Sequence, residues 1–229
     1  MGYMRLKKVM KSYDLIVSLG SSCSPAIHMR RHGLRKFSMP LDWMVSLSLG
    51  DVARLFDHRF HDFMKLEHLV MAEETFYPQY YLDDGEPIYL EPVEKTLIKS
   101  YFIKDALYNI ISVHDFPIFE GQHWTSSYPA YKAKLDMRIA RLWEGLNQSR
   151  HPLFIRWYAE YDQAAAMQAA LTRVLGGKEF TLLVLNPVAE LKTIQEADWK
   201  MSQVCVVEVP HDIKDDSLWD RILSGIKLN

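Results

Sequence analysis

Cysteine is scarce in this chain. Two thiols in 229 residues, Cys23 and Cys205, cannot make a disulfide framework. We read the compartment as reducing and the protein as cytoplasmic. No apolar run approaches the ~20 residues that span a bilayer. The basic stretch Met1 to Ser12 lacks a small-residue cleavage signal, and Leu15 to Leu19 is too short for a secretory core, so Met1 to Lys11 reads as a loose leader. Charge of one sign is also missing. With 27 Lys and Arg against 29 Asp and Glu, the net charge of −2 excludes nucleic-acid binding by bulk charge. No internal repeat and no low-complexity tract is present. What remains, 48% hydrophobic and 24% charged, is a globular composition. At this length folding buries roughly 70% of the unfolded surface, so no metal or disulfide is needed to hold the core.

The opening is punctuated. Asp14 to Gly20 is a short apolar run ended by glycine and reads as a buried strand. Ser21, Ser22 and Cys23 follow, and Ser24 as N-cap, Pro25 in the first turn and Gly33 after the last mark a helix. Leu34 to Gly50 reads as irregular, Asp51 to Phe56 as a short helix. Phe60 to Glu94 reads as an excursion, with Asp83-Asp84-Gly85 as a turn. In the second half Leu107 to Val113, Leu153 to Trp157, Phe180 to Asn186 and Val204 to Val209 read as strands. Tyr131 to Gln148, Asp162 to Leu175 and Ser217 to Ile226 read as helices.

The alternation predicts an α/β fold: a three-layer sandwich with a mostly parallel central sheet, Rossmann-like or hydrolase-like in topology. Residues 1–229 form one domain in this reading, with about 60–94 as an insertion or lid. Sites in such sheets form at the carboxyl ends of strands. That points to Gly20 to Cys23, His114-Asp115, Trp157 to Asp162, Asn186-Pro187 and Pro210 to Asp212.

Cys23 is the first candidate. A thiol at a helix N-terminus meets the positive end of the macrodipole and free backbone N–H groups, and both favour thiolate. Cys205 lies inside an apolar strand and reads as core. His114 ends a strand and is placed to act as a general base toward a neighbouring strand end. Asp115 points the opposite way along an extended chain, so Asp42, Asn186 and Asp212 are the options for orienting the imidazole. Asp42 sits between Leu41 and Trp43, where an ionised carboxylate needs a partner. Ser21 and Ser22 offer two further readings, a serine nucleophile or a phosphate cradle at the helix start. The turn matches neither a P-loop nor a dinucleotide fingerprint. The strand-end cluster Arg156-Trp157-Tyr158 with Glu160-Tyr161-Asp162 has the chemistry to hold a sugar or peptide. Three His-Asp pairs, at His61, His114 and His211, match no metal-ligand spacing, and no metal or cofactor is expected.

Leu-Gly-Ser-Ser-Cys23, His-Gly-Leu-Arg35, Pro-Leu-Asp-Trp43, His-Asp-Phe116 and Phe-Ile-Arg-Trp157 stand in one order from Asp14 to Ile222. With these motifs the chain resembles the bacterial family of papain-like cysteine peptidases of unknown function. The resemblance implies Cys23 as nucleophile, His114 as base and Asp42 as a third group.

The reading is thiol-dependent acyl transfer or hydrolysis. Cys23 attacks, His114 relays the proton, and Ser21, Ser22 and Ser24 with Arg156 line the oxyanion or ligand site. The substrate is a peptide, an amide, an ester or a sugar-type small molecule. Neither nucleic acid nor membrane is a partner. One alternative is a domain that binds or transfers a sugar or phosphate with a structural Cys23, using Arg30, Arg31 or Arg156. A second is a serine esterase.

Overall fold

The computed structural model describes residues 4–77, 80–81, 87–88 and 98–229. A five-stranded sheet is built from β1 (Ile16–Ser18), β6 (Leu153–Trp157), β7 (Thr181–Val188), β8 (Gln195–Ala197) and β9 (Val204–Pro210). Its order is β8-β9-β7-β6-β1. Ile16 pairs with Leu153, Leu153 with Thr181 and Leu182 with Val204, all parallel, and only the edge strand β8 runs antiparallel.

The apolar runs of these strands are continuous because both faces are covered. Successive side chains point to opposite faces. Phe154, Leu182, Val184 and Val206 enter one core with α2 (Leu49–Asp57), α3 (Tyr128–Gln148) and α4 (Tyr161–Val174). Leu153, Ile155, Leu183, Cys205 and Val207 enter the other. That second core takes Met29 of α1 (Ser24–Arg31) and Leu218, Trp219, Ile222 and Leu223 of α5 (Asp216–Leu223). Cys205 is wholly buried there, as its strand position predicts.

A second sheet is antiparallel throughout. It orders β2 (Met44–Ser46), β5 (Ile110–Ser112), β4 (Ile98–Asp105) and β3 (Leu69–Tyr77) as β2-β5-β4-β3. The fold is therefore mixed α/β with several sheets. The expectation of a single mostly parallel sheet needs this correction, because part of the stretch read as irregular is strand. Residues 69–77 pair with 98–105, with a register shift between Met71 and Glu73. Phe60, Phe63 and Met64 ahead of them are core residues. The turn expected at Asp83-Asp84-Gly85 lies outside the described residues.

Buried Asp105 holds the entry to this sheet. Its carboxylate accepts from the Met64, Leu107 and Tyr108 N–H groups at 2.6, 2.8 and 3.1 Å. Residues 4–13 also depart from expectation. Leu6–Val9 is a helical turn with Leu6 and Val9 buried, and Ser12–Tyr13 pairs in parallel with Lys227–Leu228. This segment packs because its apolar residues complete the second core. Among the described residues no helix is long and apolar enough to cross a membrane.

Candidate active site

The nucleophile turn is set by Gly20. After β1, the Leu19 N–H bonds the Ile155 carbonyl, and Gly20 then takes a left-handed φ of 63°. A Cβ on Gly20 would lie 2.5 Å from the Leu41 carbonyl oxygen. Only glycine fits both demands. Gly20→Ala should cost roughly 2–6 kcal/mol, the sum of left-handed strain and overlap. Gly33, at φ 67° with open space where a Cβ would sit, should lose far less on the same substitution. Urea midpoints of the two variants test the contrast.

The chain then turns through Ser21 and Ser22 into α1. The helix starts at Ser24 with Cys23 as its N-cap, one residue earlier than expected, because Ser22 Oγ takes the Ser24 N–H at 3.3 Å. Cys23 is thus delivered to the carboxyl end of the parallel sheet. His114 arrives from the other sheet, two residues past β5, and is buried. Its Nε2 lies 3.1 Å from Cys23 Sγ. The structure brings these two sequence candidates together, across 91 residues of chain.

Trp43 meets the imidazole edge-on, with ring centres 5.9 Å apart and an 86° angle. The neighbouring Asp42 is almost wholly buried, and its Oδ2 takes the Arg35 guanidinium at 2.6 Å and the Met39 N–H at 2.9 Å. Burial pushes the Asp42 carboxyl up, while Arg35 draws it back toward the ionised form. Asp42 Oδ1 has no hydrogen-bond partner among the described residues. Arg35 also lies over the Trp43 ring, 5.0 Å from its centre, and both groups bond Ser38 Oγ at 3.1 Å. Asp115 accepts from Ser112 Oγ at 2.6 Å and stands 3.8 Å from Arg138.

The thiol does not have the low pKa that its helix position predicts. Burial pushes it up, and the charges of Asp115 and Asp42 push it further. Cys23 is part-buried, and desolvating a thiolate there outweighs the favourable end of a two-turn helix.

Arg156 borders the cavity beside the turn, and its donors are engaged by the backbone around it. Wholly buried, it donates to the carbonyls of Leu19, Ser46 and Tyr158 and to Ser46 Oγ, at 2.6–3.0 Å. Ser46 Oγ in turn donates to the Gly20 carbonyl at 2.6 Å. Arg156 thus ties β1, β2 and β6 together beneath the nucleophile turn. Burial pushes its pKa down to about 9. Arg31 bonds Asp216 and Asp220 of α5, away from the turn. Asn186 accepts the Ala159 N–H, and Asp212 the Lys214 N–H, so both fasten loops. The imidazole bonds Cys23. Ser21 Oγ is buried with no hydrogen-bond partner among the described residues. Tyr158 and Tyr161 of the strand-end cluster are exposed, and Tyr158 adopts a left-handed φ of 64°.

A cavity of about 190 Å³ opens beside the turn, walled by Ser21, Ser22, Ser46, Leu47, Arg156, Trp157, Tyr158 and Ile213. Among the described residues no three His, Cys, Asp or Glu gather as metal ligands. The supporting roles of Arg35, Trp43 and Ser46 are not read from the sequence alone. The one available signal is an arginine close before an aspartate set in an apolar run.

Fold and pair together define a mixed α/β protein whose thiol and imidazole meet at the carboxyl end of a parallel strand. Residues 14–183 match the family described as "Putative papain-like cysteine peptidase", and the chain belongs to that family. It is also 27% identical over 148 residues to the uncharacterized protein R408 of Acanthamoeba polyphaga mimivirus, a match covering 64% of this chain. The match spans 63% of that relative's own length. No solved structure matches the chain significantly.

Proposed function

We propose that the protein transfers an acyl group through Cys23, hydrolysing a small peptide, amide or ester. The observation that carries this reading is the 3.1 Å contact between Cys23 Sγ and His114 Nε2. His114 takes the thiol proton as sulfur bonds to the carbonyl carbon. The carbonyl oxygen becomes an oxyanion. The Ser21 hydroxyl and the turn N–H groups ahead of Ser24 are the donors within the same turn. Collapse expels the amine or alcohol, which receives the proton from His114. Water, again deprotonated by His114, then cleaves the thioester and frees the acid.

Asp42 is the third group in this proposal. Its second oxygen is free to take part, and Arg35 anchors the first. The parallel sheet with its helices serves as a hydrolase-like scaffold, and residues 60–94 as an insertion within one domain. The apolar wall of Leu47, Tyr158 and Ile213 takes a short apolar group of the substrate. The reaction needs no cofactor.

An activated acyl ester such as p-nitrophenyl acetate tests the reading. Intact-mass measurement should show one acetyl on the wild type and none on Cys23→Ala. Acetylation of Cys23→Ala to the same extent defeats it. The pH profile carries a second expectation. A thiol pushed above its ordinary ~8.5 holds less thiolate at neutral pH, so alkylation by iodoacetamide should keep rising into the alkaline range. A plateau reached below pH 8 would show an ion pair already formed.

A further inference from the structure

An arginine stands where α3 should carry an apolar residue. Tyr131, Leu135, Arg138, Leu142 and Leu146 form the buried stripe of that helix, at helical spacing. The Arg138 side chain is 1% exposed. A guanidinium in such a place is costly unless a carboxylate answers it. Asp115 does so. It is 8% exposed, and its Oδ1 lies 3.8 Å from Arg138 Nη1.

Asp115 also shapes the chain that carries His114. Its Oδ2 accepts from Ser112 Oγ at 2.6 Å. Ser112 ends β5 and Asp115 follows His114, so this bond spans the residue that bears the imidazole. The next residue, Phe116, is fastened in turn. Its carbonyl accepts from the Tyr101 N–H at 2.8 Å and from Ser100 Oγ at 3.2 Å. Its ring meets Tyr131 of α3, with centres 4.6 Å apart.

We propose that Arg138 is a positioning residue for acyl transfer at Cys23, a role that rests on the nucleophile reading above: it anchors Asp115 beside His114 and offsets the charge of that carboxylate at the thiol. Two carboxylates act on the sulfur. Burial does most to hold the thiol in its protonated form, followed by Asp115 and then Asp42. Asp42 has Arg35 at 2.6 Å, and Asp115 has Arg138. Each acid at the nucleophile is thus matched by one buried arginine. Arg138 and Arg141 also favour the ionised form of Asp42. Tyr131 is a further titratable group beside Asp115 and Arg138, and burial holds its hydroxyl well above the ordinary range. His114 faces the sulfur itself.

The two halves of a neutral pair act on a thiol with opposite sign. Stripping Arg138 leaves a bare carboxylate, and the thiolate becomes harder to form. Neutralising Asp115 leaves a bare guanidinium, and the thiolate becomes easier to form. Asparagine keeps an oxygen that can accept from Ser112, so Asp115→Asn preserves the turn.

Alkylation of Cys23 by iodoacetamide, followed by peptide mass on the full chain across a pH series, tests this. At neutral pH Arg138→Gln should slow alkylation about tenfold and move the profile to alkali, the lower end of what one adjacent charge does to an ionisation. Asp115→Asn should speed it about tenfold. The double variant, and separately Arg138→Lys, should return to within about threefold of wild type. A purely structural arginine gives a different pattern: loosening exposes the thiol and speeds alkylation in both single variants alike. Single variants that move the rate in the same direction, or not at all, overturn the proposal. So does a double variant as slow as Arg138→Gln. Should Arg138→Gln fail to fold, Asp115→Asn decides, and alkylation no faster than wild type overturns the proposal. Iodoacetamide needs only the thiol, so this result stands even where the wild type takes no acetyl group, which defeats the nucleophile reading instead.

Discussion

Replacing His114 with alanine should slow acylation of Cys23 by about 10²–10⁴-fold, the worth of a positioned general base. The expectation rests on the state of the pair. Burial and two nearby carboxylates hold the thiol in its protonated form. A protonated thiol is a poor nucleophile, so the reaction depends on an acceptor that is already in place. Nε2 at 3.1 Å is that acceptor. The acylation rate should therefore fall steeply at neutral pH and recover in strong alkali, where hydroxide removes the proton instead. The pH profile of acylation should change shape with the substitution. Circular dichroism and the urea midpoint separate this from simple unfolding. His114 is buried against Trp43, so some stability is lost with it, but a structural loss moves the midpoint and leaves the shape of the pH profile intact. A His114→Ala variant that folds and acylates at the wild-type rate would reduce the pair to packing.

Arg35→Met should be the most destabilising single change near the site, at about 3–5 kcal/mol. Arg35 and Asp42 form an ion pair with both side chains all but excluded from water. Removing the guanidinium leaves a buried carboxylate held by the Met39 N–H, and takes the platform from beneath Trp43. For a domain of this size each kcal/mol moves the midpoint by about 2–4 °C, so Tm should fall by roughly 6–20 °C. The double variant Arg35→Met, Asp42→Leu removes both charges at once. It should recover most of the lost stability, since the penalty lies in the stranded charge more than in the missing bond. It should not recover Cys23 acylation, because Asp42 is absent. A double variant as unstable as the single one would show that the shape of Arg35, not its charge, holds the loop.

The sequence discloses most where a local pattern is long enough to carry the fold. β6, β7 and β9 stand out as apolar runs because both faces are buried. α3, α4 and α5 stand out by helical spacing and by their caps. Cys23 and His114 are legible for the same reason: each follows a strand and precedes a break. The antiparallel sheet is not. β2 and β5 have three residues each, and Met44 finds Ser112 only through a pairing 68 positions apart. Such register is set by tertiary packing, which leaves no short-range signature. Arg156 shows the same limit in a single residue. Read as a ligand group from its place beside two aromatics, it also serves carbonyls from three separate segments, a role the sequence does not show. Those carbonyls are backbone atoms and have no letter in the sequence. The lowered pKa expected for Cys23 fails differently. Its local cause is present, but burial and two carboxylates distant in sequence outweigh it.

The parallel contact of Ser12–Tyr13 with Lys227–Leu228 sets an order of events in folding. Strands so far apart in sequence close a loop of more than two hundred residues, at an entropic cost on the order of 5 kcal/mol in an open chain. That cost vanishes once the five-stranded sheet and α5 have formed, because the two ends are then already neighbours. The seam is a latecomer. It should have little structure in the folding transition state, and its amides should exchange with solvent through small openings long before those of β6 and β7 do.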